Sequence, residues 1–167
     1  PVVVRTLEKF ANCHIVLVLP ELQIPYWKAL WRQYKAASAV QNIQIAVGGA
    51  TRSESVSNGL RYVPDGVLVA IHDAVRPLVS KHLIDQCFVA ADAKGSGVAA
   101  TECTDSLRMK NDDYTSTTAV DRSRYLLMQT PQTFRSEQIK QAYQTLQSRA
   151  DKSRFTDDAM VYEAAGN

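Results

Sequence analysis

Little in this sequence points to a metal cage, a disulfide scaffold or a membrane. There are only three cysteines in 167 residues, Cys13, Cys87 and Cys103, far apart and odd in number. With no CxxC pair and no even set, neither a zinc site nor a disulfide framework is expected. Reduced thiols in a cytoplasmic protein are the expectation instead. No apolar run approaches the roughly 18 residues of a membrane span, and no signal peptide is visible. Charge of one sign is scarce as well: 19 Lys and Arg face 17 Asp and Glu, for a formal net charge of +2. Nucleic-acid binding would require a dense basic face with interleaved aromatics, so that class is set aside. Small anionic ligands held by a few local cations remain compatible. The sequence also lacks a Ser-His-Asp order, a glycosidase-like carboxylate pair and a His/Cys ligand cluster.

What is present is the composition of an ordinary globular protein, 46% apolar and 22% charged, long enough for one domain with a sizeable core. Short apolar runs alternate with amphipathic segments. "HIVLVLP" (14–20), "IQIAVGG" (43–49), "GVLVAIHD" (66–73) and "GVAATE" (97–102) read as strands. Helices are expected over 25–37, over 53–63 with Ser53 as cap, over 80–95 between Ser80 and Gly95, over 136–149 and over 156–166. Four strand–helix alternations predict an α/β fold: an open, mostly parallel sheet with helices on both faces. The polar, Thr-rich stretch from 105 to 129 breaks the rhythm and reads as a projecting β-arm turning at "KNDD". The whole of 1–167 is kept as one domain.

Ligands in such sheets bind beyond the carboxyl ends of the strands, and that is where the chemistry-bearing residues fall. "GGATRSES" places Gly48 and Gly49 between a strand and a helix start, with Arg52 and Ser55 following. Glycine lets backbone approach a ligand closely, and a helix N-terminus favours anions; a plain turn and cap is the equal alternative. "HDAVRP" puts Asp73 and Arg76 at the end of the third strand. An acid there can hold Mg²⁺ whose remaining ligands are water and phosphate, and a guanidinium can grip phosphate bidentately. The competing reading is a surface Asp–Arg ion pair. His72 reads as a packed or solvent-facing histidine rather than a general base. "TDSLR" adds Ser106 and Arg108, "VDRSRY" adds Arg122 and Arg124, "QTPQTF" adds Thr130 with two amides, and "FTDDAM" adds Thr156 as a helix cap. Cations, hydroxyls and one strand-end acid point to phosphoryl or nucleotidyl transfer, where positioning and charge stabilisation do most of the catalysis.

Taken together and in this order, "GGATRSESVSNGL", "IHDAVRP", "TDSLR", "AVDRSRY", "QTPQTF" and "FTDDA" resemble the 2-C-methyl-D-erythritol 4-phosphate cytidylyltransferases over nearly the whole chain. The resemblance implies a homodimer clasped by the arm. It also implies transfer of CMP from CTP to a sugar-alcohol phosphate, with Mg²⁺ present and pyrophosphate leaving. It implies nucleotide contacts at Gly48, Gly49 and Ser55, and an acid beside metal and substrate at Asp73. Substrate contacts are implied at Arg76, Ser106, Thr130 and Thr156, with Arg122 on the substrate phosphate from the partner subunit. Ala50 stands where relatives often carry a polar residue, and Ser106 where Thr is common. The family's glycine-rich, Arg-bearing loop and its following Lys belong before Pro1, and a further Lys belongs beyond Asn167, so the natural protein is expected to be longer at both ends. A ribitol 5-phosphate cytidylyltransferase is the alternative enzyme, and a non-catalytic nucleotide-binding scaffold the alternative class.

Overall fold

The computed structural model describes residues 1–40, 42–113, 115–147 and 155–167. Two small sheets and an arm organise it. Strands β1 (Ile15–Leu19) and β2 (Ile43–Val47) pair in parallel, Ile15 opposite Ile43. Strands β3 (Leu68–Ile71), β4 (Ser96–Glu102) and β7 (Leu126–Arg135) form the second sheet in the order β3-β7-β4. The short strands β5 (Arg108–Lys110) and β6 (Thr117–Ala119) make an antiparallel hairpin.

The α/β class is as the alternation predicted, and the parallel expectation holds for β1 with β2. It needs one correction at β7, which runs antiparallel to both its neighbours. The stretch 126–129, read as part of the arm, belongs to this strand. So does "QTPQTF", whose residues 130–134 are buried. Being buried on both faces removes the period-2 signal that marks a strand, and a proline within the run further disguises it. The rest of that stretch holds the exposed β5–β6 hairpin, and the outer ends of β4 and β7 pair with each other, Leu126 opposite Glu102.

The helices mostly follow the expectations. Helix α2 (Ile24–Tyr34) continues as a 3-10 turn over Lys35–Ala37. Helix α4 (Lys81–Lys94) is capped by Ser80, whose side chain accepts from the Leu83 amide, and is closed by Gly95. Helix α3 (Arg52–Leu60) is capped by Thr51 rather than Ser53. Helix α5 spans Ser136–Gln147. Helix α6 (Asp158–Ala164) is capped by Asp157 rather than Thr156, through the Met160 amide. Helix α1 (Val2–Lys9) was not foreseen, because three consecutive valines have weak helix propensity. Burial of Val4 and Leu7 against Leu17 and Trp27 overrides it.

Two cores result. One gathers α1, α2 and the β1–β2 pair around Val4, Leu7, Leu17, Trp27 and Val40. The other gathers α3, β7, α5 and α6 around Leu60, Phe134, Ile139, Tyr143 and Val161. Among the described residues, no helix is long and apolar enough to cross a membrane.

Packing of α4 on β4 is close enough to demand a glycine. A Cβ built on Gly97 would sit 2.1 Å from the Cys87 carbonyl oxygen and 3.0 Å from the Ala90 Cβ. Backbone cannot yield as a side-chain tip can, so Gly97→Ala should push α4 off the sheet and cost about 2–3 kcal/mol, the upper part of the overpacking range. Urea unfolding of the two proteins measures it; an unchanged midpoint would show that the helix shifts freely.

Candidate active site

A cleft of about 1210 Å³ opens between the two sheets. Residues 15–18 of β1 and 68–71 of β3 line it consecutively. Side chains alternate along a strand, so consecutive lining means that both strands meet the cleft edge-on. Arg52, Ser55, His72 and Asp73 stand on its wall, which joins the "GGATRSES" and "HDAVRP" motifs at one place.

The loop after β3 is held by a chain of hydrogen bonds running through a histidine. The Asp73 amide donates to the Thr130 hydroxyl at 3.2 Å, and that hydroxyl lies 2.9 Å from His72 Nδ1. His72 Nε2 lies 3.1 Å from the Arg76 carbonyl oxygen. A carbonyl only accepts, so Nε2 carries the proton, and Nδ1 accepts from Thr130. The ring also packs against Phe10, centroids 5.0 Å apart. From the other side, the Thr6 hydroxyl donates to the Ala74 carbonyl at 2.7 Å. His72 is therefore a packed structural histidine, and burial pulls its pKa below the usual 6.5, against the upward pull of the Arg76 carbonyl and Asp73.

Asp73 and Arg76 form the ion pair that was the competing reading. Arg76 Nε donates to Asp73 Oδ2 at 2.8 Å, and Nη1 donates to the Gln129 side-chain oxygen. Both side chains are more than a third exposed, so the pair contributes little to stability. Its groups remain free to exchange partners.

The glycine loop is more self-contained than a phosphate cradle. The Gly48 amide donates to the Leu19 carbonyl at 2.8 Å, Gly49 to Ser55 Oγ at 3.1 Å and Ala50 to Glu54 Oε2 at 2.8 Å. Those amides are thus already engaged, Gly48 on β1 and the other two inside the loop. Thr51 and Glu54 make a variant of the capping box: Thr51 Oγ1 accepts from the Glu54 amide at 3.1 Å, while the Glu54 carboxylate reaches back to Ala50. A Cβ on Gly49 would lie 2.3 Å from that of Glu54, so the glycine is required by space. Glu54 was missed in the sequence reading, although Thr-x-x-Glu is its signal.

Arg52, its side chain still partly exposed, reaches a buried acid. Its two terminal nitrogens donate to Asp158 at 3.1 and 2.6 Å, and the Tyr143 hydroxyl donates to the same carboxylate. Burial and the neighbouring Asp158 raise the Tyr143 pKa, so the phenol keeps its proton. The Asp158 and Ala159 amides both donate to Gln132 Oε1, at 3.0 and 2.9 Å. Asp158 read in sequence only as a helix-start acid, and Gln132 as a ligand-facing amide; neither Tyr143 nor their meeting had a local signal.

Ser106 and Arg122 lie exposed on the arm, with the Arg122 guanidinium donating to the Thr104 carbonyl. Thr156 is exposed beside Met160, its hydroxyl 3.3 Å from the sulfur. None of these three lines the cleft. Among the described residues, no group of three His, Cys, Asp or Glu could hold a metal. Asp73 alone suits a Mg²⁺ bound chiefly through phosphate oxygens and water, and does not suit an all-protein cage.

Because the fold holds His72 neutral, its contribution to stability is complete above the ordinary pKa of 6.5 and is lost as pH falls through that value toward the lower folded one. Urea midpoints compared at about pH 7.5 and about pH 5.5 should therefore fall more for the wild type than for His72→Gln. Equal falls would mean that another group carries the acid sensitivity.

The whole chain, residues 1–167, matches the family described as 2-C-methyl-D-erythritol 4-phosphate cytidylyltransferase. A protein of that name from Porphyromonas gingivalis is 48% identical over 166 residues, covering 98% of this chain and 70% of the relative. One from Phocaeicola vulgatus is 42% identical, covering 99% of this chain and 74% of the relative. The crystal structure of 4-diphosphocytidyl-2C-methyl-D-erythritol synthase from Anaerococcus prevotii superposes with a TM-score of 0.85 at 26% identity, over 99% of this chain and 75% of that one. With Arg52, Ser55 and Asp73 lining one cleft and the family match covering the whole chain, this chain belongs to the 2-C-methyl-D-erythritol 4-phosphate cytidylyltransferase family.

Proposed function

We propose that the protein transfers CMP from CTP to 2-C-methyl-D-erythritol 4-phosphate in isoprenoid biosynthesis. The substrate's phosphate oxygen attacks the α-phosphorus of CTP; the new P–O bond forms as the bond to pyrophosphate breaks. The observation that carries this reading is the pairing of Asp73 with Arg76 on an exposed loop pinned by His72, Thr130 and Thr6. Such a loop presents an acid and a guanidinium rigidly, which is how phosphoryl chemistry is assisted. Arg76 takes the substrate phosphate, Gly48, Gly49, Arg52 and Ser55 form the nucleotide side, and Ser106, Thr130 and Thr156 serve the substrate side. Asp73 would hold Mg²⁺, whose chemistry is to neutralise charge on the triphosphate.

Arg122 reaches the substrate phosphate of the partner subunit in a homodimer. The apolar residues Met109, Leu126, Leu127 and Met128 are exposed on the arm and its base, a pattern that a partner surface would cover. Three free cysteines agree with a cytoplasmic setting. The chain spans about 70% of its curated relatives' length.

Pyrophosphate release with CTP and Mg²⁺, measured for the protein expressed from its full reading frame, tests the proposal. Release with methylerythritol 4-phosphate alone is expected. Release with ribitol 5-phosphate alone would move the protein to the other cytidylyltransferase class, and release with neither would leave a nucleotide-binding scaffold. In the same assay, Asp73→Ala and Arg76→Ala should each lower turnover at least about a hundredfold. Unfolding midpoints should barely move, because an exposed pair contributes only about 0.5 kcal/mol. Wild-type rates in either variant would return that residue to a surface ion pair.

A further inference from the structure

We propose that Asp158 is a positioning residue for the nucleotide side of the site, acting through Arg52. The inference rests on the functional reading above and deepens it. Asp158 is fully buried. A buried carboxylate is costly even when paired, and an apolar pair of the same volume often stabilises a fold as well or better. What an ion pair adds is a fixed geometry.

The geometry here is specific. Asp158 meets the Arg52 guanidinium as a two-point fork, Oδ1 to Nη1 and Oδ2 to Nη2, which sets the plane of the guanidinium as well as its position. The Tyr143 hydroxyl fills a further site on Oδ1, so the carboxylate cannot swing. Its own backbone is held as well, since Gln132 Oε1 takes the amides of Asp158 and Ala159. The path therefore runs from β7 through Gln132 to the first turn of α6, through the carboxylate to Arg52, and so to the first residue of α3. Arg52 directly follows the cap Thr51. Among the described residues, its side chain hydrogen-bonds the Gly48–Ser55 loop to the second core, against which α3 also packs through Leu60, whereas the loop's other side-chain bonds are internal to it.

The opposite side of the site hangs from the same strand. Thr130 lies two residues before Gln132 on β7 and pins the Asp73 loop. Asp158 thus completes a bracket in which one strand sets the spacing between the nucleotide loop and the substrate loop. A carboxylate that touches neither ligand would then control how the nucleotide sits.

The test uses the protein expressed from its full reading frame, with Asp158→Asn, Arg52→Gln and the double variant. Hydrogen exchange of peptides covering 48–55 and steady-state kinetics are read together. Asp158→Asn keeps the shape but weakens the fork. It should speed exchange over 48–55 while leaving α4 unchanged, and raise KM for CTP about tenfold. KM for the sugar phosphate should stay within about twofold. The double variant should be no worse than Arg52→Gln alone, because the acid acts through the arginine. Unchanged exchange over 48–55 overturns the proposal, as do losses that multiply or a general loss of stability with KM for CTP unmoved. If Asp158→Asn does not fold, Tyr143→Phe removes one bond to the carboxylate and should speed the same exchange; unaltered exchange there overturns the proposal too. A wild type without CTP turnover would instead fail the functional reading, while the exchange data still decide whether Asp158 holds the loop.

Discussion

The structure depends on the buried half of one strand. Within β7's buried residues 130–134, Gln132, Thr133 and Phe134 pair with β3 on one side and β4 on the other, so neither outer strand has a sheet without it. Phe134 is fully buried at the centre of the second core. Two polar side chains on the same stretch reach out from the sheet. Thr130 satisfies the Asp73 amide and His72, and Gln132 satisfies two amides at the start of α6. Each bond answers a group that would otherwise be buried without a partner, which is what makes such contacts hard to dispense with.

Two Asp–Arg pairs differ sharply in burial and therefore in how firmly they are held. Asp73 and Arg76 are both substantially exposed, three residues apart on a loop. Water competes for them, so their attraction is weak and either can pass to a ligand at little cost. Arg52 and Asp158 are 106 residues apart, and the acid is fully buried. Breaking that pair would strand a charge away from water. The first pair is suited to exchange partners during a reaction and the second to hold still.

Local patterns in the sequence were enough for most elements because each carries its own signal. Ser80 and Gly95 bracket α4 where capping chemistry puts them, and Ile43–Val47 reads as a strand from its β-branched residues. The errors have physical reasons. Ser53 was taken for the cap of α3 because any serine before an amphipathic run fits; Thr51 wins because Glu54 completes the reciprocal bond. Helix α1 forms against its valines because Leu7 and Val4 find a core supplied by residues farther along the chain. The extent of β7 was hidden by its burial on both faces and by Pro131.

The candidate site divides along the same line. The sequence by itself determined the candidate groups: Asp73 and Arg76 at a strand end, the glycine pair before a helix, and the motif order shared with a family of cytidylyltransferases. These follow from residue type and short spacing, which a linear reading contains. Only the tertiary structure decided what holds those groups. His72 became a neutral strut between Thr130 and Arg76, the loop amides were engaged by β1 and by the loop itself, and Arg52 was turned onto Asp158, which Tyr143 and Gln132 hold in turn. Thr130 lies 58 residues from His72, and Asp158 lies 26 from Gln132 and 106 from Arg52; no local propensity encodes contacts between side chains that only the packing of sheet and helices brings within hydrogen-bonding reach.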